Sequence, residues 1–396
     1  MIATDNVLKM TDLDLSGQKI LIRSDLNVPL VDGKVGSDQR IRAALETINL
    51  ATSQGGRIIL MSHLGRPEEG VFSDEFSLAP IARHMSTLLN QEILFVTDWL
   101  DGIDVSKGEI VLCENVRFNV GELQNSKQLS KRMAALTDIF VMDAFGTAHR
   151  AQASTVGVAR YAPLACAGPL LIKELEALGR SLRAPERPLV AIVGGSKVST
   201  KLKVLESLTT VVDQLILGGG ILNTFIAAAG YRIGKSMHEP ELIPSARRLL
   251  SEAEKNKKRI LLPIDLVVGK TCTASAKASI KEIGDIAHED LILDIGPKTA
   301  LKYTEIVKKA GTIVWNGPVG VFELPPFSEG TRKLAVAVGE SQAFSVAGGG
   351  DTLAAVEAYN VANQISYLST GGGAFLEFLE GRKLPSVAIL EDRATV

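Results

Sequence analysis

Residues 189–197 read LVAIVGGSK, a run of five apolar residues that leads into two glycines, a serine and a lysine. Because the apolar residues are consecutive rather than alternating, the run is typical of a strand that helices cover on both faces. Comparable runs recur along the chain with helix-patterned segments between them, which indicates parallel strands linked by crossover helices. The predicted fold class is α/β, with two doubly wound parallel-sheet (Rossmann-like) domains joined by a hinge with a cleft between them.

The other predicted strands are short apolar runs bounded by turn residues. They are KILIRS (19–24), RIILMS (57–62), EILFVT (92–97), EIVLC (109–113), DIFVMD (138–143), QLILGG (214–219), RILLPI (259–264), LILDIG (291–296), TIVWNG (312–317), FSVAGG (344–349), ISYLST (365–370) and SVAIL (386–390). A chain of 396 residues exceeds what one core usually serves, so about two domains are expected. We place the boundary near residues 180–188, a polar segment with two prolines.

Composition excludes several classes of protein. With 46% hydrophobic and 22% charged residues, the chain has ample apolar surface to bury. Its net charge of −2 argues against a nucleic-acid or membrane-surface protein, and the partner is expected to be a small molecule. The three cysteines, Cys113, Cys166 and Cys272, form no Cys-x-x-Cys pair, which fits a reducing cytoplasm. No signal peptide or membrane-spanning run is predicted.

The residues that follow the strands carry the functional signal, because ligands of open α/β sheets bind beyond the carboxyl ends of the strands. In the first half these residues are anion-binding side chains: Asp25, Asn27, His63, Arg66, Arg117, His149 and Arg150. A single arginine after a strand is more often an ordinary surface residue. Several at equivalent strand ends can converge on one anionic ligand, since guanidinium groups suit phosphate and carboxylate oxygens.

In the second half, glycine-rich loops follow the strands. They are GGSK (194–197), GGG (218–220), WNGP (315–318), GGGDT (348–352) and TGGG (370–373). Two glycines after a strand usually make only a tight turn. Recurrence in one domain favours loops whose backbone N–H groups meet a phosphate at helix starts.

Three charged residues in these loops admit two interpretations each. Lys197 and Lys201 are predicted to share one face at the start of a helix, where lysines usually point to solvent. Positive charge there opposes the helix dipole, so a phosphate contact is favoured. Asp351 is first of all a candidate N-cap, but beside a polyphosphate it would also bind Mg²⁺. Both roles can coexist.

Several familiar motifs are absent from the sequence. Gly-Lys-Thr at 269–271 and Gly-Lys-Ser at 234–236 both lack the correctly spaced first glycine of a P-loop. No strand leads into G-x-G-x-x-G with a ribose-binding acid at the expected distance, which disfavours a dinucleotide oxidoreductase. His63 has no nucleophile elbow nearby, so a hydrolase triad is not indicated.

Taken together, the motifs resemble those of phosphoglycerate kinases, in that family's order and from end to end. They are RSDLNVPL (23–30), DQRIR (38–42), SHLGRP (62–67), ENVRF (114–118), DAFGTAHR (143–150), GGSKVSTK (194–201), WNGPVGVFE (315–323), GGGDT (348–352) and STGGGAFLEFLEG (369–381). The sequence departs from the family pattern at Met142, where Asn is expected, and at Ile221-Leu222, where Met-Ala is commoner.

The resemblance implies a phosphotransferase of glycolysis that acts on 1,3-bisphosphoglycerate and ADP. It implies that 3-phosphoglycerate or 1,3-bisphosphoglycerate is bound by Asp25, Leu26, Asn27, Arg40, His63, Leu64, Gly65, Arg66, Arg117 and Arg150. It implies that ATP or ADP is bound by Lys197, Lys201, Gly219, Gly220, Asn316, Glu323, Gly349, Gly350, Asp351 and Thr352, with Glu323 on the ribose and Asp351 on Mg²⁺. It further implies that residues 1–180 plus about 380–396 form the phosphoglycerate-binding domain, that residues 185–375 form the nucleotide-binding domain, and that the protein is a cytoplasmic monomer.

The chemistry of phosphoryl transfer to a carboxylate fits the residues that the resemblance implies. The substrate carboxylate is already ionised at neutral pH and needs no general base. The barrier must fall through in-line positioning and positive charge around the moving group, for which Arg40, Lys201 and the helix starts at Gly350 and Gly373 are the candidates. Hinge closure would expel water. Two alternatives remain open: a non-catalytic nucleotide-binding or scaffold protein, and a phosphotransferase acting on a related carboxylate.

Overall fold

The structure of the protein is a computed structural model that describes residues 6–395. Its contacts divide the chain into two compact units. Unit 1 runs to Glu176 and resumes at Lys383, and unit 2 is Ala177–Arg382. The division therefore falls inside one helix, Pro169–Leu182.

Unit 1 is built on a parallel sheet. The strands of this unit are β1 (Lys19–Ser24), β2 (Leu30–Val31), β3 (Lys34–Val35), β4 (Arg57–Met61), β5 (Ile93–Val96), β6 (Ile110–Cys113), β7 (Ile139–Asp143) and β8 (Leu164–Ala167). Its helices are α1 (Gln39–Ser53), α2 (Ala79–Leu89), α3 (Lys127–Ala134), α4 (Val158–Tyr161), most of α5 (Pro169–Leu182) and, from the end of the chain, α13 (Pro385–Ala394). The six-stranded sheet has the order β5-β6-β4-β1-β7-β8, and β2 and β3 form a separate hairpin.

Unit 2 contains a second parallel sheet and a smaller antiparallel one. Its strands are β9 (Leu189–Val193), β10 (Gln214–Leu217), β11 (Arg259–Leu261), β12 (Asp265–Gly269), β13 (Ser279–Glu282), β14 (Leu291–Ile295), β15 (Thr312–Asn316), β16 (Phe344–Gly348) and β17 (Tyr367–Ser369). Its helices are α6 (Leu202–Val211), α7 (Gly219–Ala228), α8 (Ile243–Lys255), α9 (Pro297–Lys308), α10 (Glu329–Glu340), α11 (Gly350–Ala358) and α12 (Gly372–Leu379). The parallel sheet has the order β11-β10-β9-β15-β16-β17, and the antiparallel sheet the order β13-β12-β14.

Short helical turns complete the described elements. The 3₁₀ turns are Met10–Asp12, Asp74–Phe76, Val116–Phe118, Phe145–Thr147, Pro240–Leu242, Ile283–Asp285, Pro325–Phe327 and Ala362–Gln364, and Ala153–Gly157 is a π-helical turn. No helix within residues 6–395 is long and apolar enough to cross a membrane.

The central strands are buried at consecutive positions. All five residues of β7, β9 and β15 are buried, as are the last five residues of β1. Because neighbouring side chains point to opposite faces of a sheet, this pattern shows that both faces are covered. The α/β fold class with two parallel sheets is therefore confirmed.

One predicted strand is wrong. Residues 386–390, SVAIL, lie in α13, which begins at Pro385 after the extended Leu384. Val387 and Leu390 are both fully buried and are spaced for one face of a helix. A short apolar run fits a strand or a buried helix equally well, and the proline at the first helical position was the deciding signal.

The sequence interpretation also missed the edge strand β8 of unit 1 and missed or misplaced the strands of the smaller sheet in unit 2. Neither β8 nor the pair β12 and β13 was predicted. β14 was predicted as part of a parallel sheet but pairs antiparallel with β12. β14 reads LILDI, a nearly continuous apolar run like those of the parallel strands, so only tertiary contacts decided which sheet it joins.

Gly168→Ala is expected to destabilise the protein. A Cβ atom at residue 168 would overlap the carboxylate of Asp143, which accepts hydrogen bonds from the Thr47 hydroxyl and from the Leu171 N–H at 3.0 Å. Overpacking of this kind costs about 1–3 kcal/mol. Calorimetry should show a lower thermal midpoint than that of the wild-type protein.

The matched control is Gly179→Ala in α5, where an added Cβ meets nothing within 4 Å. Alanine is the better helix former by about 1 kcal/mol, so this variant should be as stable as the wild type or more stable. Equal midpoints for the two variants would contradict the close packing of Gly168 on Asp143.

Candidate functional site

The carboxyl ends of four neighbouring strands in unit 1 present the polar residues singled out in the sequence. Asp25 and Asn27 follow β1, His63 and Arg66 follow β4, Arg117 follows β6, and His149 and Arg150 follow β7. Those strands are adjacent in the order β6-β4-β1-β7. Since parallel strands end at the same edge of a sheet, the loops meet there.

The arginines of this edge are close enough to perturb one another. Burial lowers the pKa of Arg117 to about 10, and the charges of Arg150 and Arg23 add to the effect. Burial also lowers the pKa of Arg150, and the charge of Arg66 lowers it further. Like charges held together repel, so the cluster favours an anion with several negative charges.

Arg40 reaches this edge from the first turn of α1. Its Nη1 donates to the backbone oxygen of Asn27 at 2.9 Å and lies 3.4 Å from the buried carboxylate of Asp25. The Arg40 side chain is 37% exposed. One face of the guanidinium is therefore fixed by the loop after β1, while the rest stays accessible to a ligand.

Gly65 joins three of the loops through its backbone. Its N–H donates to Asn27 Oδ1 at 2.9 Å, and its carbonyl oxygen accepts from the guanidinium of Arg117. Its φ of +60° favours glycine, and a Cβ atom would overlap the ring of Phe76. Gly65 is therefore required for the geometry of the edge itself.

His63 is buried and neutral. Its Nδ1 lies 3.2 Å from Nη2 of Arg23, a fully buried residue of β1. Burial lowers the pKa of His63 well below its usual range, and the charges of Arg23, Arg117, Arg150 and Arg40 act in the same direction. A neutral imidazole can donate a hydrogen bond to an anion without releasing a proton.

Arg23 was not selected from the sequence as a site residue. The available signal was a basic residue inside an otherwise apolar strand, where charged side chains are seldom fully buried without a partner. Leu26 and Leu64, by contrast, are buried core residues that contribute backbone groups: Leu26 N donates to Ser62 Oγ, and Leu64 O accepts from Asn115 Nδ2.

The glycine-rich loops of unit 2 also follow neighbouring strands, in the order β10-β9-β15-β16-β17. Lys201 lies among them. Its Nζ donates to Gly194 O at 2.6 Å, Asn316 O at 3.0 Å and Asn316 Oδ1 at 2.6 Å. Burial lowers the pKa of Lys201 to about 8, although the charge of Asp351 acts to raise it.

The predicted helical placement of the two lysines is wrong. α6 begins at Leu202, so Lys201 is its N-cap residue and Lys197 lies in the loop after β9. The hydroxyl of Thr200, in the turn before α6, donates back to Lys197 O, which stabilises a non-helical connection there. Lys197 is exposed and Lys201 is half-buried, so the two ammonium groups lie in different environments.

Asn316 and Thr352 tie the loops after β15 and β16 together. Asn316 Nδ2 donates to Gly348 O at 2.7 Å, and the Thr352 hydroxyl donates to the same oxygen at 2.9 Å. The Thr352 hydroxyl also accepts from Gly317 N at 2.7 Å. Both side chains are buried, so they fix the backbone of these loops.

Asp351 is not the N-cap of α11, as one interpretation of the sequence predicted. Gly349 holds that position, and Asp351 lies exposed in the first turn. The described chain, residues 6–395, contains no group of three or more potential metal-ligating side chains. Glu323 is exposed in the loop after β15, and Gly373 is exposed in the first turn of α12.

Gly219 and Gly220 allow the start of α7 to pack against the loop after β9. A Cβ atom at Gly219 would lie 2.6 Å from Gly195 O, and one at Gly220 would overlap Ser196 O. The backbones of the two loops therefore approach more closely than any side chain would permit.

These features define a class: an α/β protein in which one unit concentrates cationic side chains, and the other concentrates glycine-rich backbone loops, at the carboxyl ends of parallel strands. Such edges bind phosphorylated small molecules. The family model of phosphoglycerate kinase matches residues 10–382, and the chain belongs to the phosphoglycerate kinase family. Its reaction is the reversible transfer of a phosphoryl group from 1,3-bisphosphoglycerate to ADP in glycolysis.

Solved structures of phosphoglycerate kinases are similar to this chain over nearly its whole length. The structure of phosphoglycerate kinase from Coxiella burnetii is 55% identical, covers 98% of this chain and 100% of that chain, and superposes with a TM-score of 0.95. Phosphoglycerate kinase from Pyrococcus horikoshii is 32% identical, with coverages of 98% and 99% and a TM-score of 0.82. The residues expected to depart from the family pattern, Met142, Ile221 and Leu222, are buried in β7 and α7.

Gly349→Ala and Gly350→Ala are expected to differ in stability although the two residues are adjacent. Gly349 has a φ of +99°, and its Cβ would lie 2.8 Å from Asn316 Nδ2, whereas a Cβ at Gly350 meets nothing within 4 Å. The first substitution combines backbone strain with a clash and should lower the free energy of unfolding by about 1–3 kcal/mol. Thermal unfolding should show a lower midpoint for Gly349→Ala and a nearly unchanged one for Gly350→Ala. The reverse order would contradict the described loop.

Proposed function

We propose that unit 1 binds the phosphoglycerate and unit 2 binds the nucleotide. The observation that carries the proposal is the cluster of Arg23, Arg40, Arg66, Arg117 and Arg150 at one sheet edge, where His63 and the arginines affect one another's pKa values. A ligand with several negative charges would offset that repulsion. The glycine-rich edge of unit 2 offers backbone N–H groups instead, which suit a polyphosphate.

In unit 1, 3-phosphoglycerate or 1,3-bisphosphoglycerate would contact the side chains of the cluster and the loops that hold them. The proposed binding residues are Asp25, Leu26, Asn27, Arg40, His63, Leu64, Gly65, Arg66, Arg117 and Arg150. Asp25 aligns Arg40 and contributes no attraction to the anion. Leu26 and Leu64 act through backbone groups because their side chains are buried.

In unit 2, ATP or ADP would lie along the glycine-rich loops. The proposed binding residues are Lys197, Lys201, Gly219, Gly220, Asn316, Glu323, Gly349, Gly350, Asp351 and Thr352, with Glu323 on the ribose hydroxyls. Asn316 and Thr352 are buried and act by holding the loops after β15 and β16. Lys201 and the exposed Lys197 supply positive charge to the phosphates.

Mg²⁺ fits as part of the nucleotide substrate. Asp351 presents a single exposed carboxylate in the first turn of α11, and Mg²⁺ is commonly held by one or two carboxylates together with substrate phosphates. Asp351 would bind it, and the bound ion would neutralise phosphate charge. The charge of the Asp351 carboxylate also acts to raise the pKa of Lys201, against the larger effect of burial.

Transfer needs no general base. In the direction of ATP use, an oxygen of the ionised carboxylate of 3-phosphoglycerate attacks the terminal phosphorus, the bond to the bridging oxygen breaks, and ADP leaves with that electron pair. We assign Arg40, Lys201 and the helix starts at Gly350 and Gly373 to stabilise the charge on the moving group. Because different units hold the two ligands, hinge closure would bring them in line and exclude water.

The proposal extends to the state of the protein in the cell. We expect a cytoplasmic monomer with residues 1–180 and about 380–396 in the phosphoglycerate domain and residues 185–375 in the nucleotide domain. The compact units bounded at Glu176 and Arg382 support the domain assignment. The cysteines are free thiols, with Cys113 and Cys166 buried, which is compatible with a reducing compartment.

Arg40→Ala tests the catalytic assignment. Purified protein with 3-phosphoglycerate, ATP and Mg²⁺ should produce 1,3-bisphosphoglycerate, measured by coupled oxidation of NADH. Loss of a transition-state charge partner should lower kcat by about a hundredfold or more. The matched control is Arg42→Ala in the same helix, because Arg42 is exposed and pairs with Asp38; it should retain near wild-type turnover.

Two outcomes would contradict this proposal. An inactive wild-type protein would overturn the assignment of activity to this chain. Near-normal turnover in Arg40→Ala would overturn the role of Arg40 while leaving the family assignment intact.

Nucleotide affinity should depend on pH through Lys201. Below its pKa of about 8 the ammonium is charged in the empty site, and above that value the charge is lost. The affinity for ADP with Mg²⁺ should therefore fall about tenfold between about pH 8 and about pH 9.5. Calorimetry in buffers with different ionisation enthalpies should detect proton uptake on binding over this range.

Lys201→Met should lose this pH dependence. Lys203→Met, which removes an exposed lysine two residues further along, should retain it. Affinity that stays constant across the range in the wild type would contradict a phosphate contact by Lys201.

A further inference from the structure

We propose that Arg23, held through Ser154 by Glu122, is a positioning residue that fixes His63 as the tautomer with its proton on Nε2, which leaves that N–H as the imidazole's donor to the substrate anion. The inference rests on the proposed role of His63 in phosphoglycerate binding.

The contact between Arg23 and His63 decides the tautomer. A guanidinium carries five N–H donors and no acceptor, so Arg23 Nη2 can only donate to Nδ1 of His63 over their 3.2 Å separation. Nδ1 must then keep its lone pair, and the proton of the neutral ring lies on Nε2. A doubly protonated imidazole would set two donors against each other at this distance and add a charge to an already cationic edge.

Arg23 is held in place by a buried chain of hydrogen bonds. Its Nε donates to Ser154 Oγ at 3.1 Å, and its Nη1 donates to Ser24 O at 2.6 Å. The Ser154 hydroxyl donates in turn to Glu122 Oε1 at 2.5 Å, and the Ser154 N–H donates to Glu122 Oε2 at 2.9 Å. Arg23, Ser154 and Glu122 are all fully buried.

These hydrogen bonds join three segments that are distant in sequence. Arg23 belongs to β1, Glu122 to the loop before α3, and Ser154 to the π-helical turn before α4. A charge inside a protein is costly unless it is paired, and the Glu122 carboxylate raises the pKa of Arg23, against the larger effect of burial. The Glu122 carboxylate thus offsets part of the free-energy cost of burying the Arg23 charge. Nη2 of Arg23 remains to donate to Nδ1 of His63.

The electrostatic surroundings of His63 fit a neutral donor. The positive groups that face it are Arg23, Arg117, Arg150 and Arg40, which come from β1, the loops after β6 and β7, and α1. Each opposes a second proton on the ring. Without the Arg23 contact, nothing in this set selects Nε2–H over Nδ1–H, so the tautomer depends on Arg23.

The tautomer should be observable directly by nitrogen NMR of protein labelled at histidine. The chain has five histidines, and the spectrum of His63→Gln identifies the signals of His63 by their loss. In the wild type at neutral pH we expect an unprotonated Nδ1 and a protonated Nε2. Signals of an Nδ1–H ring or of an imidazolium would overturn the proposal.

Arg23→Met combined with Glu122→Gln removes the donor and its counter-charge together, so no buried charge is left unpaired. We expect a mixture of tautomers and a KM for 3-phosphoglycerate raised about tenfold, the effect of weakening one hydrogen bond to a charged group. The KM for ATP should stay unchanged. A purely structural role would alter both KM values or neither and would leave the tautomer as it is, which would overturn the proposal.

Ser154→Ala is the milder variant, for the case in which the double variant does not fold. It removes the link between Glu122 and Arg23 and should shift the tautomer partially with a smaller rise in the KM for 3-phosphoglycerate. Its matched control is Ser130→Ala, an equally buried serine of unit 1 whose hydroxyl donates only to Ser126 O within the described chain. An unchanged tautomer in Ser154→Ala and in the double variant would overturn the proposal.

Failure of the wider proposed function gives a different result. If His63→Gln leaves the KM for 3-phosphoglycerate unchanged, His63 does not bind the substrate and the functional half of the inference is overturned. The tautomer measurement does not use the substrate, so it still reports on the role of Arg23.

Discussion

The chemistry of unit 1 depends on the in-register parallel pairing of β1 with β4 on one side and β7 on the other. The register sets Arg23 opposite Met61 and Met142, so the three strands end at the same level. The residues that follow leave the sheet at one edge because of this pairing. It is held by burial on both faces of the strands, worth about 25 cal/mol for each Å² of apolar surface removed from water.

That edge concentrates like charge, and the rest of unit 1 compensates for it. Asp25 pairs with Arg40, the backbone oxygen of Gly65 accepts from Arg117, and Glu122 lies behind Arg23. These contacts use part of each guanidinium and leave the net charge positive. An anion bound at this edge, as proposed, would relieve the repulsion that remains between the arginines, so the edge would be preorganised for such a ligand.

In unit 2, the edge of the parallel sheet is formed by backbone groups of glycine-rich loops and not by a cluster of cationic side chains. Its glycines allow loops to pack at distances that no side chain would tolerate, as Gly219 does against Gly195, and buried Asn316 and Thr352 fix the result. Lys201 illustrates the electrostatic consequence. Its three hydrogen bonds to neutral oxygens only partly offset burial, so the pKa of Lys201 is low, and a phosphate bound there as proposed would raise it.

The sequence alone determined that the chain forms two parallel sheets, all of their strands except β8, and the residues that follow those strands, because consecutive apolar runs and the residues that end them are local signals. It could not place SVAIL in a helix, β14 in an antiparallel sheet, or Lys201 at an N-cap, since packing and capping decide these. The sequence also could not predict the contact of Arg23 with His63. Residues 40 positions apart meet only through strand pairing, so only the tertiary structure decided which nitrogen of His63 holds its proton.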